Sequence, residues 1–285
     1  MQNNHLKNVS GLLLATLFIS TSGVLGKYIA MPIIAIICIR SIIASSILFG
    51  FCKYQKNDIP LKSTKDYVGF VVSAIFMIGH WYLYFMALKL SNVAIGMLSI
   101  FTYPMITTLL EPIFTKKKLD IIHIILAILV MIGIFIIAPE FSLESTYTKG
   151  ILCGVSSAFC YAIRILILKQ YTTTYDGSLI MFYQTAIVAA FSIPFLFVVD
   201  ISNFNSQLPY LLILGIVTTA VGHTLLVKSL RYFAVSTASI ITGIQPVFGI
   251  LIAFIFVGEK PAMNTYLGGS LILLTVVVES LRSKK

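Results

Sequence analysis

Long apolar runs, separated by short polar connectors, make up most of this chain. A helix needs about 20 residues to cross a hydrocarbon core of about 30 Å, and many of the runs reach that length. Strands are not expected, because the runs show no alternation of period two and open strand edges cannot be left in lipid. The pattern therefore predicts an all-α integral membrane protein with ten transmembrane helices. The predicted helices are 9–29, 32–52, 67–88, 92–115, 120–138, 148–169, 178–199, 208–229, 234–257 and 262–281.

Two stretches, 87–118 and 229–260, align without a gap when one is shifted along the sequence onto the other. Each copy joins a basic hinge to an apolar run of helix length, and Pro104 of the first copy falls on Pro246 of the second. Such internal repetition indicates that the chain is built from two related units.

The two units are predicted to be residues 1–140 and 147–285, with five helices in each. Because five is an odd number, the second unit enters the membrane from the opposite side to the first. The chain is therefore predicted to form two inverted five-helix repeats, an arrangement that transporters use around a site at the repeat interface.

The composition excludes a soluble globular protein. Hydrophobic residues make up 58% of the chain and charged residues only 11%, whereas a soluble chain carries about 25% charged residues. The net charge of +10 does not indicate nucleic-acid binding, because the basic residues lie in connectors and not on one face. Most of them fall on one side of the predicted membrane, so this side and both termini are predicted to be cytoplasmic.

A polar stripe follows the fourth predicted helix, where Ser99, Tyr103, Thr107 and Glu111 recur every four residues. Such a stripe on a membrane helix is expected to face protein or water and not lipid. Each proline frees a backbone carbonyl and can bend its helix.

Tyr103 and Gln245 occupy matching places, each directly before a proline near the middle of its helix. We expect the pair to contact a solute across the repeat interface, with little protein around either side chain. The alternative is that Pro104 and Pro246 only shape helix packing.

Aromatic residues and a histidine cluster in the third predicted helix. His80 and Tyr84 are expected to share a face that suits amphipathic or aromatic solutes. The alternative for Trp81 and Tyr82 is an interfacial belt, in which rings lie at the level of the lipid headgroups.

Three charged residues, Arg40, Glu111 and Arg164, lie at least four residues from either end of their predicted helices. Arg40 is expected to form a structural tie to a carbonyl or a carboxylate, and its alternative role is a counter-charge for the solute. Glu111 is expected to pair with Lys116 near the surface, and its alternative role is proton coupling. Arg164 is expected to extend to the cytoplasmic surface. His223, toward the same end, is expected to be an interfacial or hydrogen-bonded structural residue and not a metal ligand.

Motifs of enzymes and of nucleotide binding are absent from the sequence. It contains no glycine-rich phosphate loop, no paired-histidine zinc motif and no Ser/His/Asp grouping at one depth. We therefore expect neither an enzyme, nor a metal, nor a cofactor.

Short motifs in both halves resemble a known family. Ala87–Lys89 precedes Pro104, and Val257–Lys260 ends the ninth predicted helix after Phe248. Together with the two five-helix halves, these motifs resemble the EamA-type transporters of the drug/metabolite transporter superfamily. One departure is that Gly258 and Glu259 have no counterpart at the end of the fourth predicted helix.

The resemblance implies a bacterial inner-membrane carrier, often an exporter of amino acids or other metabolites. It also implies a central cavity lined mainly by the first, third, fourth, sixth, eighth and ninth helices. The cavity positions that it implies are Ser22, His80, Tyr84, Tyr103, Tyr161 and Gln245.

The leading hypothesis is a secondary transporter that moves a small organic solute across the lipid bilayer by alternating access, with proton or exchange coupling. One alternative is a lipid or lipid-precursor flippase, which needs a lateral opening and a basic headgroup pocket, for which Arg40 is the candidate. Another alternative is an integral-membrane enzyme, which needs clustered acid, base or metal-binding residues at one interface.

Overall fold

The computed structural model describes residues 2–56, 59–115, 121–137, 142 and 144–282. Within these ranges the chain consists of helices joined by turns, and no strand is present. The helices are α1 (Gln2–Tyr28), α2 (Ile33–Tyr54), α3 (Thr64–Leu90), α4 (Val93–Ile100), α5 (Tyr103–Thr115), α6 (Ile121–Ile137), α7 (Thr146–Lys169), α8 (Gly177–Ser192), α9 (Phe204–Ile213), α10 (Thr224–Ser229), α11 (Val235–Ile241), α12 (Gln245–Val257) and α13 (Met263–Arg282).

Seven helical stretches in the described part of the chain are long and apolar enough to cross a membrane. Each lies on one of the helices predicted from the sequence. The seven stretches are Asn8–Tyr28, Ile33–Tyr54, Thr64–Leu90, Val93–Phe114, Thr146–Lys169, Gly177–Phe197 and Phe204–Ser229. Shorter apolar helices cover Ile128–Ile137 and Thr242–Val257. The protein is therefore a multi-pass membrane protein.

Two of the predicted helices are interrupted near their middles. The α4 helix ends at Ile100, and after a turn α5 begins at Tyr103. In the second half, the tight turn of Thr242–Ile244 separates α11 from α12, which begins at Gln245. The helices that follow the interruptions begin at Tyr103 and Gln245, which align with each other, so the two stretches of sequence are interrupted at the same place.

The prolines explain why the interruptions fall there. Pro104 and Pro246 are each the second residue of the helix that follows the interruption. A proline has no N–H to donate to the carbonyl four residues earlier, and its ring crowds that carbonyl. A regular helix therefore cannot continue through either position without a local change. Proline is tolerated at the start of a helix because the first N–H groups there have no helical partner.

Small residues let α7 pack closely against α3 and α4. A Cβ atom added to Gly154 would lie 2.5 Å from the Cβ atom of Ser99, so only glycine fits at this crossing. Ala158 and Ala162 continue the same face and are fully buried. The face of small residues that the sequence contains at every fourth position is thus a helix-packing surface, as is common in membranes.

Lysines of the two halves make corresponding ties. The Nζ atom of Lys27 donates to the Ser91 carbonyl at 2.6 Å, and that of Lys169 donates to the Phe233 carbonyl at 2.9 Å. Ser91 directly follows α3, so the Lys27 tie lies at the end of α3. Tyr175, just beyond Lys169, donates to the Asp66 carboxylate in the first turn of α3, so the Lys169 tie lies near its start. The two ties therefore lie at opposite ends of α3 and of the bundle.

A wide helical segment joins α9 to α10. Residues Leu214–His223 form a π-helix, in which the Thr219 hydroxyl donates to the Leu214 carbonyl five residues earlier at 2.7 Å. This segment packs against α1 and α2. Single π turns are common at functional sites because they re-aim side chains, and this segment directs Thr219 and His223 toward the centre of the protein.

Candidate functional site

A small cavity lies among the described helices. Its volume of about 20 Å³ is close to what one water molecule needs. The structure brings all six sequence-predicted solute-binding residues to its wall. They are Ser22, His80, Tyr84, Tyr103, Tyr161 and Gln245.

The interrupted helices meet at this cavity. Tyr103 and Gln245, the first residues of α5 and α12, both line it. Phe101, in the turn before α5, lines it as well. Their shared location agrees with their matching places in the two aligned stretches of sequence.

His80 is held in one orientation by α7. The Ser157 hydroxyl donates its only hydrogen to the His80 carbonyl at 2.7 Å, while its oxygen lies 2.9 Å from Nδ1 of the His80 ring. Because that hydrogen is already used, Nδ1 must be the donor to Ser157. The Nε2 atom is then the ring nitrogen that remains for other partners.

A chain of aromatic rings forms one wall of the cavity. The ring centre of Tyr161 lies 4.5 Å from that of His80 and 4.8 Å from that of Tyr103, and the two tyrosine rings meet edge to face. Tyr84 stacks parallel to His80 with the ring centres 6.1 Å apart. Such rings offer a broad apolar surface with polar edges, which suits a small solute with an apolar part.

Tyr103 is also a packing residue. Its side chain is only 3% exposed, and its hydroxyl bonds to the Thr242 hydroxyl and to the Ser239 carbonyl. The expectation that little protein surrounds this side chain is therefore wrong. The reason is that the interruption in the second half places Thr242 opposite the tyrosine, where the two polar groups satisfy each other. Gln245 is half-buried and fits the expectation better.

Arg40 is buried at the cavity wall, with 1% of its surface exposed. Its Nε and Nη2 atoms donate to the Thr219 hydroxyl at 3.0 and 2.7 Å. Its guanidinium carbon lies 3.9 Å from the centre of the Trp81 ring. Arg40 is thus tied through a hydroxyl and a ring face, and not through the carbonyl or carboxylate that we expected. Neither partner carries a negative charge.

Arg164 does not extend to the surface as expected, because it is fully buried. Its Nε atom donates to Gln184 Oε1 at 2.9 Å, and its Nη2 atom approaches the Met181 sulfur at 3.3 Å. The Gln184 amide is itself held by a bond to the Ser73 hydroxyl. A preoriented amide on a neighbouring helix therefore holds the guanidinium inside the bundle.

Among the further residues of the cavity that sequence reasoning missed are two with a ring N–H or ring nitrogen, Trp81 and His223. Trp81 is only 2% exposed, whereas its neighbour Tyr82 is 43% exposed, so only Tyr82 can belong to an interfacial belt. His223 is buried with its ring centre 5.9 Å from that of Trp81, so the interfacial one of its two expected roles is wrong. Its position four residues after Thr219 was the available signal, since this spacing places both on one side of the helix.

Glu111 lies away from the cavity. It is partly exposed on α5, within electrostatic range of Lys169. Lys116, its expected partner, lies outside the described residues.

Three buried polar atoms near the centre have no hydrogen-bond partner among the described residues. They are the Tyr84 hydroxyl, Nδ1 of His223 and Nη1 of Arg164. Tyr84 and His223 both line the cavity. Leaving a buried polar group unpaired costs about 1–3 kcal/mol. The centre is therefore short of hydrogen-bond partners that a bound molecule can supply.

Two larger grooves are open to the outside of the bundle. Their volumes are about 390 and 470 Å³, and the residues described along them are mainly apolar and include no charged side chain. Of these three cavities, the small central one is the one lined by charged as well as polar side chains.

Apolar helices that enclose a polar centre, two of them interrupted beside it, are typical of a membrane transporter. The sequence model of the EamA-like transporter family matches the chain twice, over residues 6–138 and 148–281. The chain belongs to this family.

Relatives of the chain carry descriptions that agree with this family. The chain is 25% identical over 259 residues to the uncharacterized transporter YxxF of Bacillus subtilis (strain 168), a match that covers 86% of this chain and 80% of that one. It is also 25% identical over 195 residues to an uncharacterized transporter of Archaeoglobus fulgidus, covering 68% and 70% of the two chains. These likenesses and the family identify the protein as a transporter and not an enzyme.

The fold also resembles one that has been solved. A protein described only as a crystal structure superposes with a TM-score of 0.74 over 98% of each chain, at 16% sequence identity. At that identity the likeness shows the shared fold alone.

Proposed function

We propose that this protein is a secondary transporter that moves a small organic solute across the membrane by alternating access. The observation that carries the proposal is the meeting of two interrupted helices, α4–α5 and α11–α12, at one polar cavity. Broken helices near the bilayer midplane are where transporters of this kind place their solute sites. A cavity of about 20 Å³ holds no organic solute, so the surrounding helices must separate for one to enter.

The same proposal includes the topology of the whole chain. We propose ten transmembrane helices in two inverted repeats, 1–140 and 147–285, with both termini in the cytoplasm. The starts of α5 and α12 at the aligned residues Tyr103 and Gln245 support the repeat, and the distribution of basic residues supports the orientation. A reporter fused after Lys285 is expected to read as cytoplasmic, and a periplasmic result would contradict both the orientation and the helix count.

The two lysine ties offer a physical basis for alternation. Lys27 ties α1 to the turn after α3 at one end of the bundle, and Lys169 ties α7 to the turn before α11 at the other. In the proposal, one tie opens while the other stays formed, so the solute site faces one side at a time. Inverted halves can exchange roles in this way because they contain equivalent contacts.

We propose that the solute is an amino acid or a related metabolite and that it is exported across the bacterial inner membrane. The aromatic wall formed by His80, Tyr103 and Tyr161 supports a solute with an apolar part. Glu111 is proposed as a proton-coupling residue because it lies near Lys169 and thus near one of the two ties. Exchange for a second solute is the alternative form of coupling.

The flippase alternative has less support. A headgroup pocket must open sideways to lipid, whereas Arg40 is buried and enclosed by α2, α3 and the π-helical segment. No charged side chain lines the two outward-facing grooves in their described residues.

Uptake by proteoliposomes tests the proposed function. Liposomes that contain the purified protein are loaded with an unlabelled solute. The exchange of this solute for its labelled form outside is then measured for a broad panel of metabolites. We expect saturable exchange of at least one solute above protein-free liposomes. Absence of exchange for every solute, with protein that remains monodisperse and folded, would contradict the proposal.

A further inference from the structure

The centre of the protein carries positive charge without a negative partner. Arg40 and Arg164 are both buried and lie close enough to repel each other. Among the described residues, neither forms a salt bridge, and no carboxylate lines the cavity. A buried charge is normally paired or wet, because desolvation of an unpaired ion costs several kcal/mol.

The hydrogen bonds of Arg40 leave part of its guanidinium for a ligand. Its Nε and Nη2 atoms both donate to one hydroxyl, that of Thr219, and Nη1 makes no hydrogen bond to the described residues. The hydroxyl fixes the direction of the side chain but cannot neutralise it. The face of Trp81 offsets only part of the desolvation.

A second donor at the same cavity lacks a well-formed hydrogen bond. The Tyr84 hydroxyl is buried, lines the cavity and lies near the Ser22 hydroxyl, but it makes no hydrogen bond of normal geometry to a described group. Such a phenol can donate to a better acceptor, and a carboxylate has about four lone-pair sites for such donors. The missing component of this site is thus an acceptor that carries a negative charge.

We infer that the cavity binds its solute as an organic carboxylate, with the carboxylate held by Arg40 and Tyr84 and the apolar part against the aromatic wall. The inference rests on the proposed function and names the substrate class within it. An ammonium group on the solute finds ring faces but no carboxylate among the residues described at the cavity. The site therefore prefers net anions over zwitterions, and zwitterions over cations.

Solutes that share one apolar part but differ in whether they carry a carboxylate, an ammonium group or both test the inference. At pH 7, 3-phenylpropionate is an anion, phenylalanine a zwitterion and phenethylamine a cation, and all three share one ring. Equivalent sets, in which an isobutyl or a methyl group replaces the benzyl group, cover smaller solutes. Binding is measured by the thermal shift of the detergent-solubilised protein and by competition for exchange in proteoliposomes. We expect the acid of the best-binding set to bind about tenfold more tightly than its amino acid, because both offer the same carboxylate and only the amino acid must bury an ammonium group beside Arg40 without a carboxylate to pair with it.

Three variants locate the preference. Arg40→Gln is expected to abolish the difference between acid and amino acid, while Arg40→Lys keeps part of it because it keeps the charge. Tyr84→Phe, which removes one oxygen atom, is expected to weaken binding of the acid in a protein that folds normally, so the test does not depend on Arg40→Gln folding. Arg231→Gln changes an exposed arginine and is the matched control, with an unchanged preference.

The outcomes separate the inference from the proposed function. Equal or tighter binding of amino acids or amines by the wild-type protein overturns the inference and leaves a transporter of another substrate class. Retention of the anion preference in Arg40→Gln, or an unchanged affinity for the acid in Tyr84→Phe, overturns the assignment of these residues. Failure of folded wild-type protein to exchange any solute overturns the proposed function itself.

Discussion

The guanidinium carbon of Arg40 lies 3.9 Å from the centre of the Trp81 ring, and both side chains line the central cavity. A ring in this position stabilises a desolvated cation through its electron-rich face. Trp81, on α3, therefore holds the guanidinium of Arg40, on α2, at the wall of the cavity.

The Trp81 ring gives a first prediction. Trp81→Ala is expected to destabilise the protein by about 3–5 kcal/mol, because it removes a fully buried indole and leaves Arg40 without its ring partner. Trp81→Phe keeps a ring face and should lose less. Melting temperatures in detergent check the order. An alanine variant as stable as the phenylalanine variant would show that Arg40 does not depend on this ring.

Tyr103 and Gln245 should behave differently despite their matching places in the sequence. Tyr103→Phe removes a hydroxyl that bonds to Thr242 and Ser239, so we expect a stability loss of about 1 kcal/mol. Gln245→Ala removes a half-buried side chain from the cavity wall, so stability should stay near normal while transport falls. Thermal melts and exchange rates of both variants distinguish the two roles. Equal loss of stability in both would assign Gln245 to packing as well.

The closest crossing of α7 gives a matched pair of glycine variants. In Gly154→Ala the new Cβ would lie 2.5 Å from the Ser99 Cβ, whereas at Gly50 nothing lies within 4 Å of it. We expect Gly154→Ala to lower the melting temperature and Gly50→Ala to leave it unchanged or raise it slightly, since alanine favours a helix over glycine by about 1 kcal/mol. Equal melting temperatures would contradict the close packing of α7.

The lysine ties give a prediction about the two ends of the bundle. Lys27→Met removes charged hydrogen bonds to the turn after α3, and Lys169→Met removes those to the turn before α11. Hydrogen–deuterium exchange is expected to rise at residues 87–93 in the first variant and at 229–235 in the second. Each tie contributes about 1.5–3 kcal/mol, so exchange from locally opened states should rise about tenfold or more.

The exposed Lys149 supplies the control for both ties. Lys149→Met should change exchange at neither segment. A rise at both segments in either variant would mean that the ties stabilise the whole bundle and not its separate ends.

Local rules were sufficient to predict much of the fold and of the cavity. Apolar run length is a local property that sets where a helix can cross lipid. Pro104 and Pro246 mark the interruptions because a proline lacks a donor wherever it stands. Tyr103 and Gln245 adjoin those prolines, so their convergence at the centre followed from the repeat.

Other features depend on partners that are distant in the sequence. Arg164 is buried because Gln184, on α8, holds its guanidinium, and nothing beside Arg164 in the sequence indicates this partner. The π-helical turn that presents Thr219 to Arg40 depends likewise on packing against α1 and α2. Pattern reasoning assigned both arginines to simpler environments because it had no access to these contacts.

The most direct test of the account is whether the solute passes the central cavity. The four native cysteines are replaced, and a single cysteine is introduced by Gln245→Cys at the cavity wall or by Asn205→Cys at an exposed position. The account predicts that a membrane-impermeant thiol reagent blocks exchange only in the Gln245→Cys protein, and that the transported solute slows this modification. Full exchange after complete labelling of Gln245→Cys would contradict the account, because a solute path through the cavity cannot stay open beside a bulky adduct.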